Sequence, residues 1–110
     1  MDLTAKKCMP CNSGTPPLTA EEAERYLAEL QGGWTVIEHK KIQREFKFKN
    51  FKEAMAFVNR VADIAEHEGH HPDIYVFYNL VRLELWTHAV RGLSENDFIV
   101  AAKIDNLTKG

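Results

Sequence analysis

The sequence predicts an α+β domain in which antiparallel hairpins are covered by helices, in the order helix, strand, strand, helix, strand, strand, helix. Three observations predict it. Capping signatures precede three apolar stripes of helical period, at Thr19, Asn50 and Ser94. Alternation of apolar and polar residues marks two strands, at 42–48 and 81–88. Glycine or proline punctuates the junctions, at Gly32-Gly33 and at Gly69 with Pro72.

A chain of 110 residues suits one domain with an ordinary core. With 45% hydrophobic and 27% charged residues it falls in the globular class rather than the disordered one. A formal net charge of -2 gives no electrostatic reason to expect nucleic acid or an anionic membrane as partner. No apolar run approaches the roughly 20 residues of a membrane span. The first residues, Met1 to Lys7, lack the apolar core of a secretion signal, so a cytoplasmic location is expected.

Residues 1–17 read as a flexible arm rich in proline and small residues, and 18–110 as the domain. The arm carries Cys8 and Cys11. A redox pair of this spacing follows a strand and opens a helix, and a closed zinc site needs four ligands. Here Pro10, Gly14, Pro16 and Pro17 argue for a solvated loop instead. The first helix opens with a Thr19/Glu22 capping box and places Ala23, Tyr26, Leu27 and Leu30 on one face. Trp34 to His39 form a short strand candidate, joined through Lys40-Lys41 to a second strand. There Ile42, Phe46 and Phe48 share a face that Arg44 interrupts.

Asn50 caps the second helix, whose stripe runs through Phe51, Ala54, Met55, Val58, Val61, Ala62 and Ala65. Phe57 and Ile64 lie beside that stripe and widen it, which predicts that another subunit covers part of this face. Ile74 to Tyr78 form the third strand. In the fourth, Val81, Leu83 and Leu85 oppose Arg82, Glu84, Trp86 and His88. Ser94 caps the last helix, with Asp97 three residues on and Phe98, Ile99, Ala101, Ala102 and Ile104 as its apolar surface.

The chemistry concentrates at Glu66-His67-Glu68-Gly69-His70-His71-Pro72-Asp73, where the second helix stops and a strand begins. Imidazole has an unperturbed pKa of about 6.5 and exchanges protons near neutrality. Several imidazoles beside carboxylates suit acid–base work or a metal, although a polar turn collects such residues anyway. Adjacent histidines rarely ligate one ion, and no neighbouring cysteine completes a metal set. Acid–base work is favoured by His88 and by the flanking carboxylates Glu66 and Asp97. Trp86 offers a face on which a flat substrate could stack.

Taken together, Glu66-x-x-x-His70-His71-Pro72, Tyr78-Asn79, Thr87-His88 and Gly92-Leu93-Ser94-Glu95-x-Asp97 resemble the pterin-4a-carbinolamine dehydratase family. The resemblance runs from about Leu18 to Leu107 and includes the spacing of Phe46, Phe48 and Phe51. It implies one four-stranded antiparallel sheet with three helices packed on one face, assembled as a homodimer or homotetramer. It implies a 4a-hydroxytetrahydrobiopterin dehydratase that recycles the cofactor of aromatic amino acid hydroxylases, with a small pterin as substrate and no metal or cofactor.

His70, His71 and His88 carry over as catalytic residues. Glu66, Pro72, Trp86, Thr87 and Asp97 are expected to orient or bind the substrate. Animal members carry a carboxylate directly before the His pair, where this chain has Gly69. They also stabilise dimers of a hepatocyte transcription factor, so a non-catalytic assembly partner is the rival reading. Action on a molybdopterin-type ligand is a third.

Overall fold

The computed structural model describes residues 2–10 and 14–108; Cys11 lies outside them. A short 3-10 turn at Leu3–Ala5 precedes helix α1 (Ala20–Leu27) and strands β1 (Thr35–Ile37) and β2 (Lys41–Lys47). Helix α2 (Phe51–Glu68) leads to β3 (Asp73–Phe77) and β4 (Leu80–Leu85). A second 3-10 turn, His88–Val90, precedes helix α3 (Glu95–Asp105). The order and class are those the sequence predicts: three helices and a four-stranded antiparallel sheet, ordered β1-β2-β4-β3. No helix among the described residues is long and apolar enough to cross a membrane.

The sheet owes its layout to the alternation of β2 and β4. They pair with Ile42 opposite Leu85 and Phe46 opposite Val81, which stacks the apolar residues of both strands on one face. Ile42, Val81, Leu83 and Leu85 are fully buried there. A register slip of one residue would turn all of them to the open side, so this pairing is strongly specified. The first hairpin turns at Glu38-His39, both with positive φ, two residues earlier than the Lys40-Lys41 link expected from sequence. Lys41 belongs to the strand. At the second turn, Asn79 is fastened to the end of β2, accepting from Phe48 N–H (2.8 Å) and donating to Phe48 O (3.2 Å).

Helix α2 differs from the stripe drawn for it. Its buried line is Ala54, Phe57, Val61 and Ala65, while Phe51, placed in the stripe, is half exposed. Phe57 is 3% exposed, with its ring 4.7 Å from Phe46 and 5.0 Å from Phe48. Ile64 packs at the margin of the same core. The width that suggested a second subunit is therefore used inside the chain, because the phenylalanines of β2 and its extension reach across to α2.

Helix α3 is the most enclosed element, with nine of its eleven residues buried. Its last residue, Asp105, accepts from Trp34 Nε1 (2.9 Å) and pairs with Arg44 Nη1 (2.7 Å). Arg44 is thus a partner of α3, lying also over the Phe46 ring. Burial, the largest influence, pushes the Asp105 carboxyl up despite the bonds from Trp34 and Arg44. Gly33 has φ +90°, and a Cβ there would stand 2.7 Å from Arg44 Nε, so this close approach needs glycine.

The segment read as an arm is packed over residues 2–10. Leu3 is 3% exposed in the core cluster, and Lys6 pairs with Glu95 at the start of α3 (2.8 Å).

The placement of Phe57 has a measurable consequence. Phe57→Ala should cost about 3–5 kcal/mol of stability in urea denaturation, the range for emptying a buried aromatic site. A loss below about 1 kcal/mol would return the ring to a surface.

Candidate active site

Gly69 sets the site in place. It ends α2 in the left-handed conformation, φ +67°, with its N–H on Ala65 O (2.8 Å). The chain then leaves the helix axis, and the two consecutive histidines go different ways. His70 turns inward, with only 13% of its side chain exposed and Nε2 2.6 Å from Asp97 Oδ1. His71 turns outward, 58% exposed, with Nε2 2.5 Å from Oε2 of the similarly exposed Glu66. A one-turn spacing on α2 and its exit makes the second pair local; the first joins residues 27 apart.

Asp97 is fully buried, and its hydrogen bonds account for its position. Oδ2 accepts from Ser94 N–H (2.9 Å), one arm of the capping box at the start of α3. The same oxygen accepts from Thr87 Oγ1 (3.0 Å). The Ser94 hydroxyl bonds to Thr87 Oγ1 at 2.7 Å, so Thr87 is held from two sides. With both carboxylate oxygens accepting, His70 is best described as donating Nε2–H, which leaves Nδ1 as the nitrogen available to a substrate.

Strand β4 ends at Leu85, so His88 lies in a 3-10 turn rather than at the strand end expected from the alternation. The cause is an isolated bridge between Thr87 and Gly92, with Thr87 N–H on Gly92 O at 2.8 Å. His88 is exposed, and its ring stacks on Trp86 at 3.7 Å between centroids. One face of Trp86 is therefore occupied by imidazole.

A cleft of about 660 Å³ receives His70, His71, Pro72, Trp86, Thr87 and His88. That is within the usual size for small-molecule sites. Of the residues expected from sequence, Asp97 stands behind His70 and Glu66 beside His71, and neither lines the cleft. Sequence reasoning missed its other walls, Glu68, Asn96 and the Cys8–Pro10 segment. Nothing in periodicity marks these; the one available signal is that Asn96 is a polar position in an otherwise well-packed helix. A second groove of about 360 Å³, between α1 and β1, is lined by apolar residues together with Glu24, Glu38 and His39.

Glu68 is 2% exposed at its side chain, pairs with Lys103 (2.5 Å) and accepts from Cys8 N–H (3.0 Å). Burial, the strongest influence, raises its pKa. The bonds from Lys103 and Cys8 outweigh it and hold the carboxyl below its ordinary value. The Cys8 thiol, half-buried and near that carboxylate, is pushed up to about 12, which makes it a poor thiolate at neutral pH. Cys8 is therefore a covered wall residue rather than part of a solvated loop. Among the described residues no three His, Cys, Asp or Glu side chains come together to hold a metal ion.

The sequence profile of the pterin 4 alpha carbinolamine dehydratase family matches residues 16–107. This chain belongs to that family. It is 54% identical over 108 residues to a protein of Nitrosomonas europaea provisionally named pterin-4-alpha-carbinolamine dehydratase, a match covering 98% of this chain and 95% of that one. A protein of Alkaliphilus metalliredigens with the same provisional name is 50% identical over 104 residues, 94% of each chain.

Two solved structures are also similar. A protein described as a transcriptional coactivator/pterin dehydratase from Brucella melitensis has a TM-score of 0.79 and 35% identity, over 84% of this chain and 99% of that one. A pterin dehydratase-like protein described as a RuBisCO assembly factor in the alpha-carboxysome shares the fold, with a TM-score of 0.61 and 22% identity. That match covers 73% of this chain and 94% of that one.

Glu68 gives the site a pH signature. Its folded pKa lies below the ordinary value of 4.5, so its contribution to stability is complete above that value. The contribution is lost as pH falls through the folded pKa. Glu68→Gln should therefore be less stable than wild type at pH 7, and the gap should close toward pH 3 in urea titrations. A gap that stayed constant with pH would mean that the carboxylate's charge is not what stabilises this corner.

Proposed function

We propose that this protein is a 4a-hydroxytetrahydropterin dehydratase, converting the pterin-4a-carbinolamine to the quinonoid dihydropterin and water. The observation that carries the reading is the buried Asp97–His70 pair in a cleft that also receives His71 and His88. Loss of water breaks the C4a–O bond, places a proton on the departing hydroxyl and removes one from N5, whose lone pair forms the new double bond. No metal or cofactor is required, since the pterin nitrogen itself helps expel the hydroxyl.

His70 is assigned the base. Its Nε2–H is committed to Asp97, and that carboxylate stabilises the imidazolium formed when Nδ1 takes the N5 proton. His88 is assigned the acid, since an exposed imidazole exchanges its proton readily with water. His71, oriented by Glu66, positions the substrate together with Pro72, Trp86 and Thr87. Recycling of the cofactor of aromatic amino acid hydroxylases in the cytoplasm is the role that fits this chemistry.

A homodimer or homotetramer remains the expected assembly, and the structure moves its support away from α2. On β3, at the sheet edge, Ile74, Tyr75 and Phe77 are exposed, with Tyr78 in the turn that follows. An apolar edge strand with unpaired backbone groups is suited to pairing with another chain. The rival reading, a non-catalytic assembly partner, would use such a surface without the cleft. A molybdopterin-type ligand would use the cleft without carbinolamine dehydration.

Stopped-flow absorbance of carbinolamine decay, with spontaneous dehydration subtracted, separates these readings. His70→Ala and His88→Ala should each lower turnover by about 10²-fold or more, and His71→Ala should chiefly raise KM. His67→Ala should behave as wild type, since His67 does not line the cleft. Wild-type turnover in His88→Ala would remove the acid assignment. A wild-type protein that did not accelerate the decay would remove the dehydratase reading altogether.

A further inference from the structure

The cleft has three walls, and two come from the stretch that the family profile covers: the α2–β3 junction and the β4–α3 connection. The third is Cys8, Met9 and Pro10, which lie before residue 16, where the profile match begins. Two buried polar side chains are committed to holding this segment. Asn96, 7% exposed, accepts from Met9 N–H through Oδ1 (3.0 Å) and donates from Nδ2 to Met9 O (2.6 Å). Glu68 accepts from Cys8 N–H while Lys103 balances its charge.

Further along, Leu3 is buried against α3, and Leu18 N–H bonds to Leu93 O at 2.8 Å. The segment is thus anchored before and after residues 8–10. A side chain as strongly hydrogen-bonding as Asn96 is expensive to bury unless its partners are fixed, and here they are the main-chain groups of Met9, next to Pro10. Met9 lines the cleft and is 68% exposed there. Its thioether is polarizable and packs well against flat rings.

We propose that residues 8–10 are a substrate-binding wall, with Met9 in contact with the bound pterin and Asn96 as the positioning residue that fixes the wall. The inference rests on the dehydratase reading above and adds to it a determinant of affinity outside the family-matched stretch. A wall of this kind is used equally in the ground and transition states, so its loss raises KM and leaves kcat nearly unchanged.

The test uses the full chain with Cys11→Ser as background, so that Cys8 reports alone. Asn96→Asp keeps the acceptor for Met9 N–H and removes the donor to Met9 O, leaving two oxygens facing each other. It should raise KM about tenfold, the scale of one lost buried hydrogen bond, with kcat within about twofold of wild type. Met9→Ala, at an exposed position where folding is not at stake, should also raise KM without lowering kcat.

An uncharged maleimide should label Cys8 slowly, more slowly with saturating tetrahydropterin, and faster in Asn96→Asp. Unchanged KM in Met9→Ala, or Cys8 labelling indifferent to a pterin that binds, would overturn the wall while leaving the dehydratase reading intact. A parent protein that neither bound tetrahydropterin nor dehydrated the carbinolamine would overturn both.

Discussion

The carboxylate of Asp97 is the constraint on which the rest of the corner depends. One buried side chain closes the first turn of α3 on Ser94, holds the Thr87 hydroxyl and receives the His70 imidazole. A carboxylate with no exposure is tolerable only when its oxygens are satisfied, and three donors satisfy them. In meeting that need the protein joins three chain segments: the exit of α2, the end of β4 and the start of α3. The arrangement that stabilises a helix start is therefore the one that orients the His70 imidazole.

The histidines are consequently unequal. His70 is shielded and tied to a buried acceptor; His71 is tied to a solvent-exposed carboxylate; His88 rests on an indole face at the cleft rim. An exposed hydrogen-bonded pair competes with water, whereas a covered one fixes geometry firmly. That gradient from covered to open is in keeping with the proposed division between a group that holds a proton at a defined atom and one that exchanges with water. Gly69 contributes by taking a positive φ in an open position, where the added Cβ would meet nothing. Its role is backbone direction, and no side chain is missed there on packing grounds.

The cleft also depends on elements far from it. Helix α3 carries Asp97 and Asn96 at its start and Asp105 at its end. Asp105 is held by Trp34 and Arg44, which pins the far end of the helix to the β1–β2 side of the sheet. Phe57, between Phe46 and Phe48, fixes α2 against the same sheet and so fixes where the chain leaves α2. The core and the site are in this sense one construction, since the helices cannot shift without moving the histidines.

Whatever depends on a few neighbouring residues was determined by the sequence alone. The Thr19/Glu22 box, the Asn50 cap, the Gly69 stop and the alternation of β2 and β4 are contacts over two to four positions, and they are legible for that reason. So was the gathering of His70, His71 and Pro72 at a helix exit.

The tertiary structure decided the rest, because periodicity says which face is apolar but not what will meet it. It put Phe57 in the chain's own core instead of against a subunit, and paired Arg44 with Asp105 across 61 residues. It set Asp97 behind His70 and brought Met9 to Asn96 across 87 residues. Those encounters are set by how three helices and a sheet pack as solid bodies, and no local run of residues encodes the approach of two such bodies.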